Sequence, residues 1–543
     1  MSTDCEDWDI ESDVLVVGSG AAAFSAALTA AAWGCRVVVL EKEDRLGGTT
    51  AKAGATFWIP NNRLMREEGL SDPRDDALRY MARLSYPQLY DPCDDRLGLS
   101  PQHYDLIAGF YDQGSAMVDH HCRIGAMDIE IDLETPDYHA DLPEDKAPRG
   151  RHLRPRGIAE AGGAVTGGEL LVGRMNDVAE GLGVRVLTGH RVSEILRSDA
   201  GEVIGLEVRV GRRTVLARAQ RAVIFGSGGF AHNPELRLAY LRGPIFGGCA
   251  AASSTGDFIR MGLGAGAALG NMSNAWWSQV PLEVALNTGP TIKDVWMPFG
   301  DSMIQVNRYG RRVVNEKMVY NERGQVHHYW NASKREYPNL LLFMIYDDAV
   351  ANRPGPATSM RQPVPAAGEK AGYVISGQTW EDLATNLRQR LASLARATGG
   401  VQLDDSFEAE LALTVERFNG FAWTGRDLDF GRGETPIQQA WNGPPRHADS
   451  PNPTMHPFAP DGPYHAIILA GGALDTKGGP IVNARAQVLD REGQPIPGLY
   501  GAGNCIAAPA GQAYWSAGGT IGPALTFGYI AGLEAASEPV KRA

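Results

Sequence analysis

The stretch from Asp13 to Glu41 constrains this chain more than any other. Val14-Leu15-Val16-Val17 is a short apolar run of the kind that forms a buried parallel strand. It leads directly into Gly18-Ser19-Gly20-Ala21-Ala22-Ala23, a G-x-G-x-x-A turn. The alanine-rich residues 21–33 predict a helix whose small side chains let it lie close on a sheet, and Gly34 ends it. Val37-Val38-Val39-Leu40 predicts a second strand, with Glu41 at its end, 23 residues after Gly18. The glycines let backbone approach a diphosphate, the helix N-terminus offers amides to it, and the carboxylate accepts ribose hydroxyls. A lone G-x-G-x-x-A says little. Strand, turn, helix, strand and acid in register predict a dinucleotide-binding unit.

The 543 residues exceed one compact core, so two domains are expected. A net charge of −13 argues against nucleic acid as a partner. It also supplies no cationic membrane patch, and no uninterrupted apolar run reaches transmembrane length, which leaves at most a peripheral membrane contact. Cys5, Cys35, Cys93, Cys122, Cys249 and Cys505 are scattered without a C-x-x-C, so neither a metal site nor a disulfide framework is signalled. With an acidic start, Met1 to Asp7, that is the opposite of a signal peptide, the chain reads as cytoplasmic with reduced thiols.

Further glycine-rich segments extend the first reading. Arg45-Leu46-Gly47-Gly48-Thr49-Thr50-Ala51-Lys52-Ala53-Gly54 follows where a long cofactor needs more backbone donors. Arg221–Gly229 is a strand ending in Gly226-Ser227-Gly228-Gly229, and Gly498–Asn504 is a third such segment. The set resembles the two-dinucleotide-binding flavoproteins, in which such loops wrap one extended FAD. That resemblance implies an α/β, Rossmann-like FAD domain. It implies contacts from Gly18, Ser19, Gly20, Ala21 and Ala22, then from Glu41 and Lys42. The second loop would add Gly47, Gly48, Thr49, Thr50 and Gly54. Gly226, Ser227 and Gly228 would follow, with Gly503 and Asn504 approaching the diphosphate and ribityl region. No histidine follows Gly47-Gly48, where relatives with covalent flavin carry one, so noncovalent FAD is expected.

Residues 62–160 are less informative, with Tyr111, His120, His121 and Tyr138 among charged helical stretches. Residues 184–218 alternate apolar and polar positions, which predicts an antiparallel meander. From about Asn274 to Gly443 aromatic residues and then polar helices, Trp380–Ala397 and Phe407–Phe418, take over. The expected organisation is an FAD domain over 1–274 and 445–543, interrupted by an α+β substrate domain over 275–444. The interface between the two is where a small ligand is expected.

The segment Gly511 to Pro523 combines Tyr514, Ser516 and the Gly518-Gly519 pair ahead of an apolar helix over 524–533. Pro523 suits a first helical turn, and the open amides of 517–522 with the positive helix end suit an anion. That rim fits the negative edge of a reduced flavin, which assigns Gly519, Thr520 and Ile521 to the cofactor, or a substrate oxyanion.

Asn307–Glu316 resembles the hairpin of the fumarate reductase and 3-ketosteroid dehydrogenase superfamily, with Asn315 and Glu316 as anchors and Tyr320 four residues on. Gln512–Gly528 resembles the flavin-dependent 3-ketosteroid dehydrogenases. Members acting between C1 and C2 typically carry Tyr-Pro-Gly-Pro-Gly where this chain has Tyr514-Trp-Ser-Ala-Gly518. The Tyr-x-Ser form is closer to the 4-dehydrogenases of 3-oxo-5α-steroids. The resemblance implies that the Tyr514 hydroxyl and the Gly518 N–H hold the ketone oxygen while the α carbon loses a proton and the β carbon a hydride. In an extended segment residues two apart share a side, which would place Ser516 beside Tyr514 near the C4 proton. Tyr320 or a water would pass that proton on, and Trp515 would narrow one edge of the pocket. A 3-ketosteroid 1-dehydrogenase, and a fumarate-reductase-like reductase of an enoate or enone, remain alternatives. For the latter the sequence offers only His327-His328 as a weak substitute for the cationic residues required. The expected partner is a steroid; no electron acceptor is named by the sequence.

Overall fold

Residues such as Val14 to Val17, apolar on both faces of a strand, can be covered only at the middle of a sheet. In the computed structural model, which describes residues 8–158, 165–288, 296–353, 362–442, 446–447 and 450–541, they lie there. The acidic start, Met1 to Asp7, is outside the described residues. β1 (Ile10–Val17) pairs in parallel with β2 (Val37–Leu40), Val14 opposite Val37, and with β9 (Arg213–Phe225) on its other side. The strand Pro495–Gly501 continues the sheet beyond β9, and β6 (Arg185–Leu187) beyond β2, both in parallel. β7 (His190–Arg197) and β8 (Val203–Val210) form the expected antiparallel meander onto β9.

α1 (Ala21–Ala32) is buried from Ala21 to Ala30, and Gly34, at φ +86°, follows its end. It packs on the C-terminal helix Ile521–Ser537, which carries Pro523 in its first turn. A Cβ on Gly528 would stand 2.3 Å from Ala22 O, and one on Gly532 2.6 Å from Ala26 O. The two helices therefore meet backbone to backbone, which the alanines of one and the glycines of the other permit. A small antiparallel sheet, β3 (Phe57–Trp58), β5 (His152–Pro155) and β4 (Ile129–Asp132) in that order, sets Trp58 opposite His152.

The chain folds as two compact units. One contains the residues up to Leu241, Ala250–Ala275 and those from Asp475 on; the other contains Arg242–Cys249 and Trp276–Leu474. The return to the first unit thus falls at Asp475 rather than near residue 445. The strand Tyr464–Thr476 is the reason: its first seven residues, Tyr464–Ala470, pair with Leu341–Asp347 of the second unit's sheet. Gly247-Gly248 joins the same strand at Gly472-Ala473, which draws Arg242–Cys249 into the second unit.

In that second unit the helices Trp380–Ser393 and Phe407–Thr424 pack Leu383, Leu387, Leu411 and Phe418 on Phe343 and Ile345 of the sheet. Thr379 and Asp382 form a capping box at the start of the first helix, and Gly425 at φ +74° caps the second. Glu316 is fully buried and takes Arg312 at 2.8 Å and Arg432 at 3.2 Å, while Asn315 donates to Phe430 O, so both anchor the hairpin as expected. Among the described residues no helix is long and apolar enough to cross a membrane.

Candidate active site

The first glycine turn is built around close backbone approach. Gly18 has φ +98°, and a Cβ there would lie 2.6 Å from Gly226 O; one on Gly226 would lie 2.7 Å from Ala23 N. Any larger residue would push β1, β9 and α1 apart. Ser19 then ties the turn to the rest of the cradle. Its hydroxyl donates to Glu41 Oε2 at 2.6 Å and accepts the Gly47 N–H at 2.9 Å. The Glu43 N–H donates to Glu41 Oε1 at 2.9 Å, and the Ala21 N–H donates to Thr50 Oγ1 at 3.0 Å.

No side chain caps α1, so among the described residues the Ala22 and Ala23 N–H groups meet no acceptor at this N-terminus. Bare glycines, open amides and a carboxylate held by two donors fit a dinucleotide whose diphosphate lies at the turn. Lys42 is aimed elsewhere: its Nζ is 2.7 Å from Asp257 and 3.0 Å from Thr255 Oγ1. Thr49 Oγ1 accepts the Ala251 N–H at 3.0 Å. Gly48 and Gly54 have no neighbour within 4 Å of a built Cβ.

Asp475, which the sequence did not single out, joins the remaining loops. It accepts the Gly229 N–H at 3.1 Å and the Thr476 N–H at 2.8 Å. Ser254 Oγ donates to it at 3.4 Å and Asn504 Nδ2 at 3.3 Å. Burial pushes its carboxyl up to about 6, against the pull of these donors.

The segment from Gly511 to Gly518 is fixed residue by residue. Asn271 Nδ2 donates to Gly511 O at 2.9 Å, and Lys477 Nζ donates to the carbonyls of Gln512 and Ala513. Tyr514 is 3% exposed; its hydroxyl is 3.2 Å from Thr520 Oγ1, and its ring stands edge-on to Tyr138 at 5.5 Å. Trp515 donates through Nε1 to Ser85 Oγ at 2.9 Å, accepts the Tyr80 hydroxyl on its carbonyl at 2.6 Å, and stacks on Phe110. It is fully buried in this aromatic core, so it does not narrow a pocket edge.

Gly518, at φ +84°, lies against the backbone of Thr56 and Phe57, and its carbonyl accepts the Trp58 N–H at 3.2 Å. Gly519 and Gly522 N–H close turns onto Ser516 O and Gly518 O. Among the described residues no acceptor takes the N–H of Gly518, Thr520 or Ile521, and no side chain caps the helix that follows. Of the amides of 517–522 expected to be open, those of Gly519 and Gly522 are thus taken by turns.

Ser516 stands differently from the expectation. The Ser516–Gly519 turn begins at Ser516, so any extended stretch from Tyr514 ends at this residue. Its hydroxyl is fully buried, 2.7 Å from His152 Nε2, and accepts the Tyr138 N–H at 3.1 Å. His152 Nδ1 is 3.2 Å from Thr135 O, and burial lowers the imidazole to about 4.

Next to His152, Arg151 is buried among three carboxylates: Asp72 at 2.7 Å, Asp137 at 2.6 Å and Asp145 at 2.9 Å. Burial opposes its charge, but those carboxylates outweigh it and hold the guanidinium well above its usual value. Burial, then the Asp137 charge, pushes Asp145 up to about 7. Asp137 also accepts the Trp58 Nε1–H at 2.8 Å, so the cluster reaches the strand on which Gly518 rests. Nothing in the sequence pointed to it, since Asp72, Asp137 and Asp145 share no spacing.

Tyr320 belongs to the second unit, where it is 4% exposed and stacks on Trp441 at 6.4 Å. His327 bonds Gln279 at 3.1 Å and Asn339 O at 3.0 Å, and burial lowers it to about 3; His328 bonds Pro244 O at 3.2 Å and is lowered to about 4. Both are neutral, internally bonded histidines, which makes them a poor cationic seat for a dicarboxylate.

The family model described as FAD binding domain matches residues 13–521. The chain is 31% identical to a 3-oxosteroid 1-dehydrogenase of Mycolicibacterium smegmatis over 97% of each chain. It is 30% identical to a 4-oxocyclohexanecarboxylate 2-dehydrogenase of Sinomonas cyclohexanicum, over 97% of this chain and 93% of that one. Among solved structures it is similar to the 3-ketosteroid delta1-dehydrogenase of Sterolibacterium denitrificans, with a TM-score of 0.81, 25% identity and coverage of 97% and 99%. It also shares its fold with the 3-ketosteroid-delta4-(5alpha)-dehydrogenase of Rhodococcus jostii RHA1, with a TM-score of 0.68, 22% identity and 99% of each chain covered. The chain belongs to the FAD binding domain family of flavoproteins, and FAD is its cofactor.

Proposed function

We propose that this flavoprotein dehydrogenates a 3-ketosteroid beside its carbonyl. The observation that carries the reading is the Gly518 N–H, without a protein acceptor among the described residues, on the same rigid segment as the Tyr514 hydroxyl. Loss of the α proton builds negative charge on the ketone oxygen, and two fixed donors aimed at that oxygen stabilise it as it forms. Each such donor is worth about 10²–10³ in rate. Tyr514 and Gly518 are the donors in this reading. Bound FAD supplies the hydride acceptor. The names of relatives at 30–31% identity, which include steroid and cyclohexanone-carboxylate dehydrogenases, support the same chemistry on a cyclic ketone.

For the position of the new double bond we favour 1,2-dehydrogenation. The 4,5 reading rested on a Ser516 hydroxyl available to the C4 proton. That hydroxyl is buried and engaged by His152 and Tyr138. The relative at 31% identity is a 3-oxosteroid 1-dehydrogenase by name.

The test is anaerobic mixing of the holoenzyme with 4-androstene-3,17-dione, 5α-androstane-3,17-dione or 4-oxocyclohexanecarboxylate while following the flavin absorbance. 4-Androstene-3,17-dione already carries the C4 double bond, so bleaching by it reports removal of hydrogen from C1 and C2. Bleaching by 5α-androstane-3,17-dione alone, with a product showing a lone vinylic C4–H signal, would establish 4,5-dehydrogenation instead. Bleaching by neither steroid would overturn the ketosteroid reading.

A further inference from the structure

We propose that His152 is a positioning residue for the oxyanion pair, acting through Ser516. The inference rests on the reading of Tyr514 and Gly518 as that pair. His152 lies on β5, its side chain wholly inside the protein. Its Nδ1 faces Thr135 O at 3.2 Å, so Nδ1 carries the proton and Nε2 is the bare nitrogen. The low proton affinity that burial gives the ring keeps it in this neutral form. Nε2, 2.7 Å from Ser516 Oγ, therefore receives the hydroxyl proton, and the same oxygen accepts the Tyr138 N–H. The hydroxyl is used on both its donor and its acceptor side within the protein.

The two ends of this arrangement reach the two proposed donors. At one end Tyr138, held through its N–H, presents its ring edge-on to Tyr514 at an interplanar angle of 75°. At the other, Ser516 O accepts the Gly519 N–H at 2.9 Å and closes the turn that presses Gly518 onto Phe57. Removing the His152 acceptor leaves the buried hydroxyl only Asp137, the carboxylate beside Nε2, to donate to. The hydroxyl must then swing toward that carboxylate, and the turn that carries it, with both donors, shifts with it. A displacement of such groups by about 1 Å costs up to about a hundredfold in rate.

The experiment compares FAD-loaded wild type, Ser516→Ala, His152→Leu, the double variant, His152→Gln and His152→Asn. It measures the limiting rate of flavin reduction, KM, FAD content and melting temperature. Ser516→Ala and His152→Leu are each expected to lower the limiting rate about tenfold to a hundredfold with KM within about threefold, and the double variant to be no slower than the worse of the two. Glutamine can offer an acceptor where Nε2 stood and should restore most of the rate, whereas asparagine is too short to reach Ser516 and should not. Losses that multiply in the double variant would overturn the proposal, as would equal rates for the glutamine and asparagine variants. A dead Ser516→Ala beside an active His152→Leu would also overturn it, by making the serine a base. If no ketosteroid reduces the wild type, the functional reading fails, while the contact itself is still read from the melting temperatures. Coupling there supports the contact, and additive losses refute it.

Discussion

Replacement of Gly518 by alanine tests the oxyanion reading with a clash that can be measured from the structure. The added Cβ would lie 2.4 Å from Phe57 Cα, 2.5 Å from Thr56 O and 2.6 Å from Phe57 N. Carbon contacts are relaxed at about 3.5–4.0 Å, so something must move by roughly 1 Å. All three atoms are backbone, and no rotamer relieves them. β3 is held by its pairing with β5 and by fully buried Trp58, so the Gly518 side is the one to yield. Overpacking costs about 1–3 kcal/mol and an alanine at φ +84° about 1 kcal/mol more, which predicts a destabilisation of about 2–4 kcal/mol. A donor moved by about 1 Å loses about 10²-fold in rate. The assay is rapid anaerobic flavin reduction by a 3-ketosteroid, with FAD content and melting temperature on the same sample. Gly173→Ala is the control: it lies in the helix Gly167–Gly181, has nothing within 4 Å of its Cβ, and should gain up to about 1 kcal/mol with no change in rate. A Gly518→Ala protein that keeps its FAD and reduces it within threefold of wild type would refute the reasoning.

Tyr514→Phe should lower the limiting rate of flavin reduction by about 10²-fold at normal FAD content; a change of only a few-fold would mean that the ring merely packs. Asp475→Ala removes the acceptor shared by Gly229, Ser254 and Asn504, and should weaken FAD binding at least about tenfold by equilibrium dialysis, a result that unchanged retention would contradict. Acid stability should follow the buried histidines. His121 and His327, at about 3, and His152 and His328, at about 4, lie below their unfolded value near 6.5, so the stability they confer is complete above that pH and is lost as the pH falls toward their folded values. Asp145, pushed up to about 7, works in the opposite sense between about 3.8 and 7. Replacing His152 by Gln should therefore improve the melting temperature at pH 5 relative to pH 8, and an unchanged difference would count against a buried neutral His152.

What was legible in the sequence was local. β1, the glycine turn, α1, β2 and Glu41 fall within a few turns of chain, and each residue type there answers to backbone geometry that neighbours alone decide. The Gly226 and Gly503 loops lie far along the chain but carry the same local signature, a strand running into glycines. The return to the first unit at Asp475 was missed because Tyr464–Thr476 belongs to the second unit's sheet through its partner strand, which the segment's own residues do not encode. The Arg151 cluster was illegible for a stronger reason. Charged residues are expected at the surface, and Arg151, Asp72, Asp137 and Asp145 can be buried only because tertiary structure brings them together from separated positions.

The Tyr514–Gly518 segment shows how residue type can be right while its use is not. The 1-dehydrogenases that this segment resembles typically carry Pro-Gly after the tyrosine, and a proline ring stiffens such a loop through its own backbone. Here Trp515-Ser516 stands in its place, and both side chains turn inward. Trp515 Nε1 reaches Ser85, its ring packs on Phe110 and Trp58, and Ser516 Oγ reaches His152. Two tertiary anchors thus do what a ring does covalently, fixing the chain between two proposed donors. A serine read from spacing as a base over C4 is, in this geometry, part of the support beneath the carbonyl site. The Tyr-x-Ser pattern then carries no information about which α carbon loses its proton, and the choice between C2 and C4 rests with the residues that seat the steroid rings.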